Sequence, residues 1–220
     1  MSHRVLAIGD IHGCLCALTT LLEAVEPSAT DTVIFAGDAV DRGPASRQVI
    51  DCILALRERC KLIFIKGNHE EIMLDAVTGR AVMEPWLTFG GRATVESYGG
   101  SIENVPPEHL RFLQSAAPYF ETETEIFVHA NLERGVPLAN QSSDYLRWKH
   151  IDGSEPRYSA TKRVICGHTS QRSGVPLVFD GWACIDTYAY GGQWLSCLDV
   201  QSNQIVQANE KGELREFPLS

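Results

Sequence analysis

The sequence lacks the features that mark a membrane or secreted protein. No apolar stretch approaches the roughly 18 residues that suggest a membrane-spanning helix, and the first residues carry no secretory signal. The seven cysteines are scattered, odd in number and without the Cys-x-x-Cys spacing of a zinc site. We therefore expect a cytoplasmic protein whose thiols stay reduced.

Positive charge is also scarce. The chain has 19 Lys and Arg against 28 Asp and Glu, a formal net charge of −9. Such a charge repels nucleic acids and anionic membranes, so we expect neither as a partner. An anionic substrate must then be attracted locally, either by bound metal ions or by a few arginines.

Length and composition favour one domain. The 220 residues, 44% of them hydrophobic, can form one sizeable core but are too few for two comfortable domains, so we predict a single domain over residues 1–220. Between about residues 78 and 118, glycines and prolines interrupt short helical pieces. We expect a helical insertion there that either shapes a substrate groove or only packs against the sheet.

The first third of the chain alternates strands and helices. Short apolar runs at residues 5–8, 32–36 and 62–65 are each followed by helical periodicity. This order predicts a parallel sheet covered by helices, in which ligands bind beyond the carboxyl ends of the strands. Shorter β-like segments from residue 119 onward predict a second, mixed or antiparallel sheet packed on the first, and thus an α/β fold.

A polar cluster follows each of the first three apolar runs. These clusters begin at Asp10, Asp38 and Asn68, which are 28 and 30 residues apart. One Asp-x-His at a strand end is typical of a turn, but three clusters at one edge of a parallel sheet favour a divalent cation site. Two further histidines, His129 and His168, also follow strand-like runs.

With these motifs in this order, the chain resembles the phosphoprotein phosphatase family of calcineurin-like metallophosphoesterases. The motifs are Gly9-Asp10-Ile11-His12-Gly13, Gly37-Asp38-Ala39-Val40-Asp41-Arg42-Gly43, Gly67-Asn68-His69-Glu70, His129 and Gly167-His168. The resemblance runs from about residue 5 to 190 and is greatest to the small bacterial and phage-type members. Symmetrical diadenosine tetraphosphate hydrolases are less similar, because they often lack an aspartate at the position of Asp41.

The resemblance implies a two-sheet β-sandwich core flanked by helices, with two divalent metal ions. Mn²⁺ is the expected metal, with Fe and Zn as alternatives, and the implied ligands are Asp10, His12, Asp38, Asn68, His129 and His168. Asp38 would bridge both ions.

The family's other active-site residues are implied as well. His69 would protonate the leaving group, Asp41 would orient His69, and Arg42 would bind phosphate. A second phosphate-binding side chain is expected from the segment 145–149, where either Arg147 or Lys149 could serve. We favour Arg147 because its planar fork fits phosphate better than an ammonium group.

The expected function is hydrolysis of phosphomonoesters, most of all phosphoserine and phosphothreonine in proteins. A hydroxide bridging the two metal ions would attack phosphorus, so no protein nucleophile is needed. A symmetrical dinucleoside polyphosphate hydrolase is the alternative enzyme, and a catalytically silent binding module is the alternative outside catalysis. The partner is expected to be a phosphorylated protein or a small phosphoester.

Other polar side chains have more ordinary interpretations. Glu70 is expected to be a helix-start carboxylate. Cys166 and Arg172 have the spacing of a Cys-x5-Arg phosphate loop, but the glycine and proline that follow disfavour the helix such a loop needs, so a buried thiol is expected. Surface or packing roles are expected for His3, His109 and His150.

Overall fold

A computed structural model describes residues 3–220, which form eleven strands and seven α-helices. The strands are β1 (Val5–Ile8), β2 (Thr32–Phe35), β3 (Lys61–Phe64), β4 (Tyr119–Glu121), β5 (Glu125–Val128), β6 (Arg163–Cys166), β7 (Leu177–Phe179), β8 (Trp182–Cys184), β9 (Leu195–Asp199), β10 (Gln204–Ala208) and β11 (Leu214–Pro218). The helices are α1 (Leu15–Val25), α2 (Ser46–Leu56), α3 (Asn68–Val77), α4 (Met83–Trp86), α5 (Arg92–Ser97), α6 (Pro107–Gln114) and α7 (Ser143–Arg147).

The strands form two mixed sheets. The first has the order β11-β10-β9-β1-β2-β3, in which β1, β2 and β3 are parallel and β9 runs antiparallel to β1. The second has the order β4-β5-β6-β8-β7, with β5, β6 and β8 parallel. The predicted α/β sandwich of two sheets flanked by helices is thereby confirmed.

The period of two along β1 explains how the layers pack. Leu6 and Ile8 belong to the apolar core that includes α1 and α2, whereas Val5 and Ala7 belong to a core shared with the second sheet. Successive side chains of a strand point to opposite faces, so a strand that is apolar at every position is buried on both. A third apolar cluster joins the second sheet to Leu146 of α7.

The sequence did not predict β11, the strand at one edge of the first sheet. Strand β11 pairs with β10, yet its residues alternate between exposed and half-buried, so the segment lacks the buried run that marks the central strands. Helix α1 ends at Val25, because Glu26 takes a left-handed conformation with φ 44°. Over residues 3–220, no helix is both long enough and apolar enough to cross a bilayer.

The segment 78–118 contains α4, a π-helical turn (Leu87–Gly91), α5 and α6. This segment is joined to the end of β3 in the first sheet through an isolated parallel bridge between Ile65 and Ala117. Two of its buried side chains, Trp86 and Thr94, bond to Asp41. The segment is therefore part of the wall around the polar edge of the sheet.

A buried carboxylate before β2 stabilises the entry to the first sheet. Asp31 is 1% exposed and accepts hydrogen bonds from the Arg4 guanidinium at 2.6 Å and from the Ser28 N–H at 2.9 Å. Burial alone would raise the pKa of Asp31, but these bonds outweigh it and hold the pKa well below its ordinary value. The charged form is thus stabilised by the folded state.

We expect Asp31→Ala to lower the free energy of unfolding by about 1.5–3 kcal/mol at neutral pH, the range for hydrogen bonds to a charged group. The folded-state pKa is below the unfolded-state value, so the difference should be full above about pH 5 and shrink as pH falls through about pH 4. Urea unfolding at several pH values measures it. Asp180→Ala, which breaks an exposed pair with Arg157, is the control; equal losses in both variants would contradict the prediction.

Candidate active site

Five strand ends meet at one edge of the two sheets. Strands β1, β2 and β3 lead to Asp10 with His12, to Asp38 and to Asn68, while β5 and β6 lead to His129 and His168. The site residues are close: the Nε2 atoms of His12 and His129 lie 3.5 and 3.4 Å from Asp38 Oδ2. Asn68 Oδ1 lies 3.0 Å from a ring nitrogen of both His129 and His168.

Backbone carbonyls fix which nitrogen of each histidine carries hydrogen. A carbonyl oxygen only accepts, so the nitrogen that faces it must donate and the other nitrogen offers a lone pair to the site. The distances are 2.8 Å from His12 Nδ1 to Val40, 2.8 Å from His129 Nδ1 to Ala36 and 3.0 Å from His168 Nε2 to Trp148. The other nitrogen of each ring faces an oxygen of Asp38 or Asn68 that also only accepts, and a cation bound between them would satisfy both atoms.

The carboxylates also fit bound cations. Asp10 Oδ1 is buried and has no hydrogen-bond partner in the described part of the chain, while its Oδ2 accepts from the His168 N–H at 2.9 Å. Burial, together with Asp186 and Asp38, raises the pKa of Asp10. In two groups, His12 with Asp38 and His69, and Asp38 with His129 and His168, the candidate ligand atoms lie within 4.8 Å of one another. Mixed oxygen and nitrogen donors suit borderline divalent metals.

The histidines differ in charge preference. Burial, followed by the neighbouring His129, lowers the pKa of His168 to about 3, and burial also lowers the pKa of His12. Both are therefore neutral near pH 7, the form that ligates metal. Burial acts the same way on His129, but the Asp38 carboxylate outweighs it and raises the pKa of His129.

A second buried pair lies beside these donors. His69 Nδ1 lies 2.7 Å from Asp41 Oδ2, and both side chains are fully buried. Trp86 Nε1 donates to Asp41 at 3.0 Å and the Thr94 hydroxyl donates at 2.7 Å, so the carboxylate is held from three sides. Within residues 3–220, His69 Nε2 has no hydrogen-bond partner, so it is the nitrogen left for exchange of a proton.

Glu70 does more than the sequence indicated. It lies in the first turn of α3, as expected, but its carboxylate accepts from the N–H groups of Asp38 and Ala39 at 2.8 Å and of Gly67 at 2.9 Å. It therefore joins the ends of β2 and β3. Burial, and then Asp38, raise the pKa of Glu70 to about 7.

The backbone is strained where the donors converge. Of eight non-glycine residues with positive φ in the described chain, five are site residues that the sequence predicted: His12, Asp38, Asp41, Arg42 and His168. Such conformations are uncommon outside glycine and cluster at functional sites. Close packing adds to the constraint, since a Cβ on Gly167 would overlap Asp10 Oδ1.

A cleft of about 390 Å³ opens onto Asp38 and Asn68. Arg42 lines it, with its guanidinium carbon 4.3 Å from the Tyr190 ring centre. Arg147 is placed elsewhere: it forms an ion pair with Glu71 at 2.6 Å and does not line the cleft. Arg172 lines the cleft instead.

Other residues at the cleft were not expected from the sequence. His150, for which a surface or packing role was expected, lines the cleft and stacks on His168 with ring centres 4.4 Å apart. Asp186 is buried beside the site and accepts from the Ser170 hydroxyl at 2.7 Å. The sequence did not indicate Asp186 as a site residue, because an acid that follows a strand-like apolar run is also typical of a turn.

Two mixed sheets whose strand ends surround carboxylates and imidazoles are the architecture of metal-dependent phosphoesterases. The chain belongs to the calcineurin-like phosphoesterase family, whose pattern matches residues 3–190. Members of this family use divalent metals, so the chain is a hydrolase of the metallophosphoesterase class.

Two relatives of the chain are named bis(5'-nucleosyl)-tetraphosphatases. The chain is 28% identical over 218 residues to an asymmetrical one from Anoxybacillus flavithermus, with 84% of this chain and 86% of the relative covered. It is 39% identical over 85 residues to a symmetrical one from Burkholderia pseudomallei; that match covers 39% of this chain and only 29% of the relative.

Solved structures share the fold. One described as a putative diadenosine tetraphosphatase has a TM-score of 0.71 at 20% identity and covers 98% of this chain and 93% of its own. A cold-active protein-tyrosine phosphatase from a Shewanella species has a TM-score of 0.66 at 18% identity, covering 99% and 80%. At such identities the likeness concerns the fold alone.

We expect the protein loaded with Mn²⁺ to hold about two ions per chain and to unfold at a higher temperature than after chelation, because cations offset the buried carboxylates. Asp38→Asn should lose metal from both positions and abolish the shift, since Asp38 lies in both donor groups. Elemental analysis and calorimetry measure these outcomes. Asp180→Asn is the surface control, and full metal content in Asp38→Asn would contradict the assignment.

Proposed function

We propose that the chain hydrolyses the phosphoric anhydride of dinucleoside tetraphosphates. The activity for which its relatives are named supports this substrate over the phosphoprotein that the sequence motifs favoured. The proposal also assigns the six predicted donors, Asp10, His12, Asp38, Asn68, His129 and His168, to two divalent metal ions.

The observation that carries the proposal is that a second arginine, Arg172, lines the cleft together with Arg42. Arg42 and Arg172 both line it, and neither forms an ion pair within residues 3–220. A chain of net charge −9 needs local positive charge to hold a polyanion. Two guanidinium groups beside a cation site supply positive charge for several consecutive phosphates.

The residues divide the chemical work. Divalent cations at such donors supply Lewis acidity and make a water nucleophilic near neutral pH. Arg42 binds non-bridging oxygens as charge redistributes on the attacked phosphorus. As the bond from this phosphorus to the bridging oxygen breaks, His69 Nε2 donates a proton to that oxygen, which leaves with the second nucleotide. Asp41 holds His69 through Nδ1, and Trp86 and Thr94 hold Asp41.

A phosphoprotein substrate is the second candidate. Its support is the Asp41–His69 pair, with 2.7 Å between Oδ2 and Nδ1, because an alkoxide leaving group needs a proton more than a nucleotide does. The same cations and Arg42 would serve both substrates. The length of the bound anion, not the chemical step, separates the two candidates.

We expect the purified protein with Mn²⁺ to convert diadenosine tetraphosphate either to ADP alone or to ATP and AMP. Chromatography of the products distinguishes symmetrical from asymmetrical cleavage, and both outcomes support the proposal. His69→Gln should lower kcat about 10²–10⁴-fold, the usual contribution of general acid–base catalysis. Release of phosphate from a phosphoserine peptide without nucleotide cleavage would favour the second candidate. If Asp38→Asn and His69→Gln both hydrolyse substrate at the wild-type rate, this site is not catalytic, and the silent binding module is the interpretation that stands.

Thr94 provides a finer test of the buried pair. Thr94→Val removes the hydroxyl that donates to Asp41 Oδ1 at 2.7 Å while keeping the side-chain shape. We expect kcat to fall about tenfold, the equivalent of one hydrogen bond to a charged group, with little change in KM. The matched control is Thr78→Val, whose hydroxyl donates to the Leu74 carbonyl and accepts from Arg80 Nε, away from Asp41. Equal effects of the two substitutions would contradict a role for Thr94 in holding Asp41.

A further inference from the structure

Two exposed aromatic side chains share the cleft. Among the large apolar residues that are exposed in the described chain, Phe89 and Trp148 are the only aromatic ones, at 46% and 37% exposure, and both line the cleft. Exposed aromatic rings in a polar cleft are typical of ligand sites, since burying them against a flat ligand removes apolar surface from water.

Trp148 is held in one orientation. Its indole N–H donates to Glu71 Oε2 at 2.7 Å, and Glu71 Oε1 accepts from Arg147 at 2.6 Å. Burial alone would raise the pKa of Glu71, but the bonds from Arg147 and Trp148 outweigh it and lower the pKa, so this carboxylate is ionised at neutral pH. An exposed tryptophan that packed only for stability would not need its polar edge fixed by a charged pair.

The position of Trp148 connects it to the reacting end of the cleft. Its carbonyl oxygen accepts from His168 Nε2 at 3.0 Å, so the backbone of Trp148 also supports a candidate metal ligand. His150, two residues on, stacks on the His168 ring. A planar group lying on the indole would therefore be adjacent to the phosphates that the cation site binds.

We propose that Trp148 is a stacking platform for a nucleobase, and that Glu71 and Arg147 are positioning residues that hold the indole. The identity of the ligand as a purine nucleotide rests on the proposed function. Base stacking on an aromatic side chain tolerates different bases, because every base has a π-face. Arg147, expected from the sequence to clamp phosphate, instead reaches the ligand through Glu71 and Trp148.

The direct test uses AMP and ribose 5-phosphate as probes, which share a phosphate and a ribose and differ in the base. In calorimetric titrations of the metal-loaded protein, we expect wild-type to bind AMP at least tenfold more tightly than ribose 5-phosphate. Trp148→Ala should lose this preference and Trp148→Phe should keep part of it. Leu214→Ala, which removes an exposed apolar side chain from edge strand β11, is the control.

The supporting pair has its own test. Glu71→Ala should weaken AMP binding and raise KM for diadenosine tetraphosphate about tenfold with kcat little changed. Glu71→Gln should retain most of the affinity, because its amide oxygen still accepts from the indole. Equal losses in Glu71→Ala and Glu71→Gln would show that the charge of Glu71 acts on the ligand directly, which would overturn its positioning role.

The outcomes separate the two proposals. If Trp148→Ala binds AMP as tightly as wild-type, or wild-type shows no preference for AMP, the platform is overturned even where diadenosine tetraphosphate is cleaved. If AMP binding depends on Trp148 but neither product pattern appears, the platform stands and the proposed function fails. A phosphopeptide whose KM depends on Trp148 while AMP binding does not would also overturn the nucleobase assignment.

Discussion

The carboxylate of Glu70 joins the ends of β2 and β3, and the geometry of the site depends on this contact. Its two oxygens accept from the N–H groups of Asp38, Ala39 and Gly67, which would otherwise be buried without partners. This bonding holds Asp38 at a positive φ of 50°. Asp38 Oδ1 in turn accepts from the His69 N–H at 3.0 Å, so the central carboxylate and the candidate proton donor are positioned together.

Strand order predicted two sheets and a common edge for the clusters at Asp10, Asp38 and Asn68, whereas His129 and His168 were joined to them only by the family resemblance. The carboxyl ends of parallel neighbouring strands must coincide, and β5 and β6 meet the same edge from the second sheet. The residues that hold Asp41 could not be predicted: Trp86 and Thr94 follow it by 45 and 53 residues and have no periodic relation to it. The partner of Arg147 could not be predicted for a different reason: a guanidinium fork fits a carboxylate, here Glu71, as well as a phosphate.

Buried acids make this edge electrostatically demanding. Asp10 and Asp186 both have raised pKa values, because burial and other carboxylates disfavour their charged forms. The fold accepts this cost where function needs convergent donors, and cations that bind there also stabilise the folded state. Stability and metal content should consequently be linked in this protein, whereas the Arg4–Asp31 pair stabilises the first sheet without a bound metal ion.

Substrate choice must depend on parts of the cleft outside the cation site. Attack on phosphorus and departure of an oxygen are common to esters and anhydrides, so the donors around Asp38 cannot distinguish them. The walls of the cleft can, because Arg172 extends its positive charge and Trp148 offers a flat surface at a fixed orientation. A base held on the indole would fix one end of a polyphosphate, and its distance from Asp38 would then determine which phosphorus meets the metal ions. Under the proposed function, the position of the Trp148 ring would thus decide between symmetrical and asymmetrical cleavage by this chain.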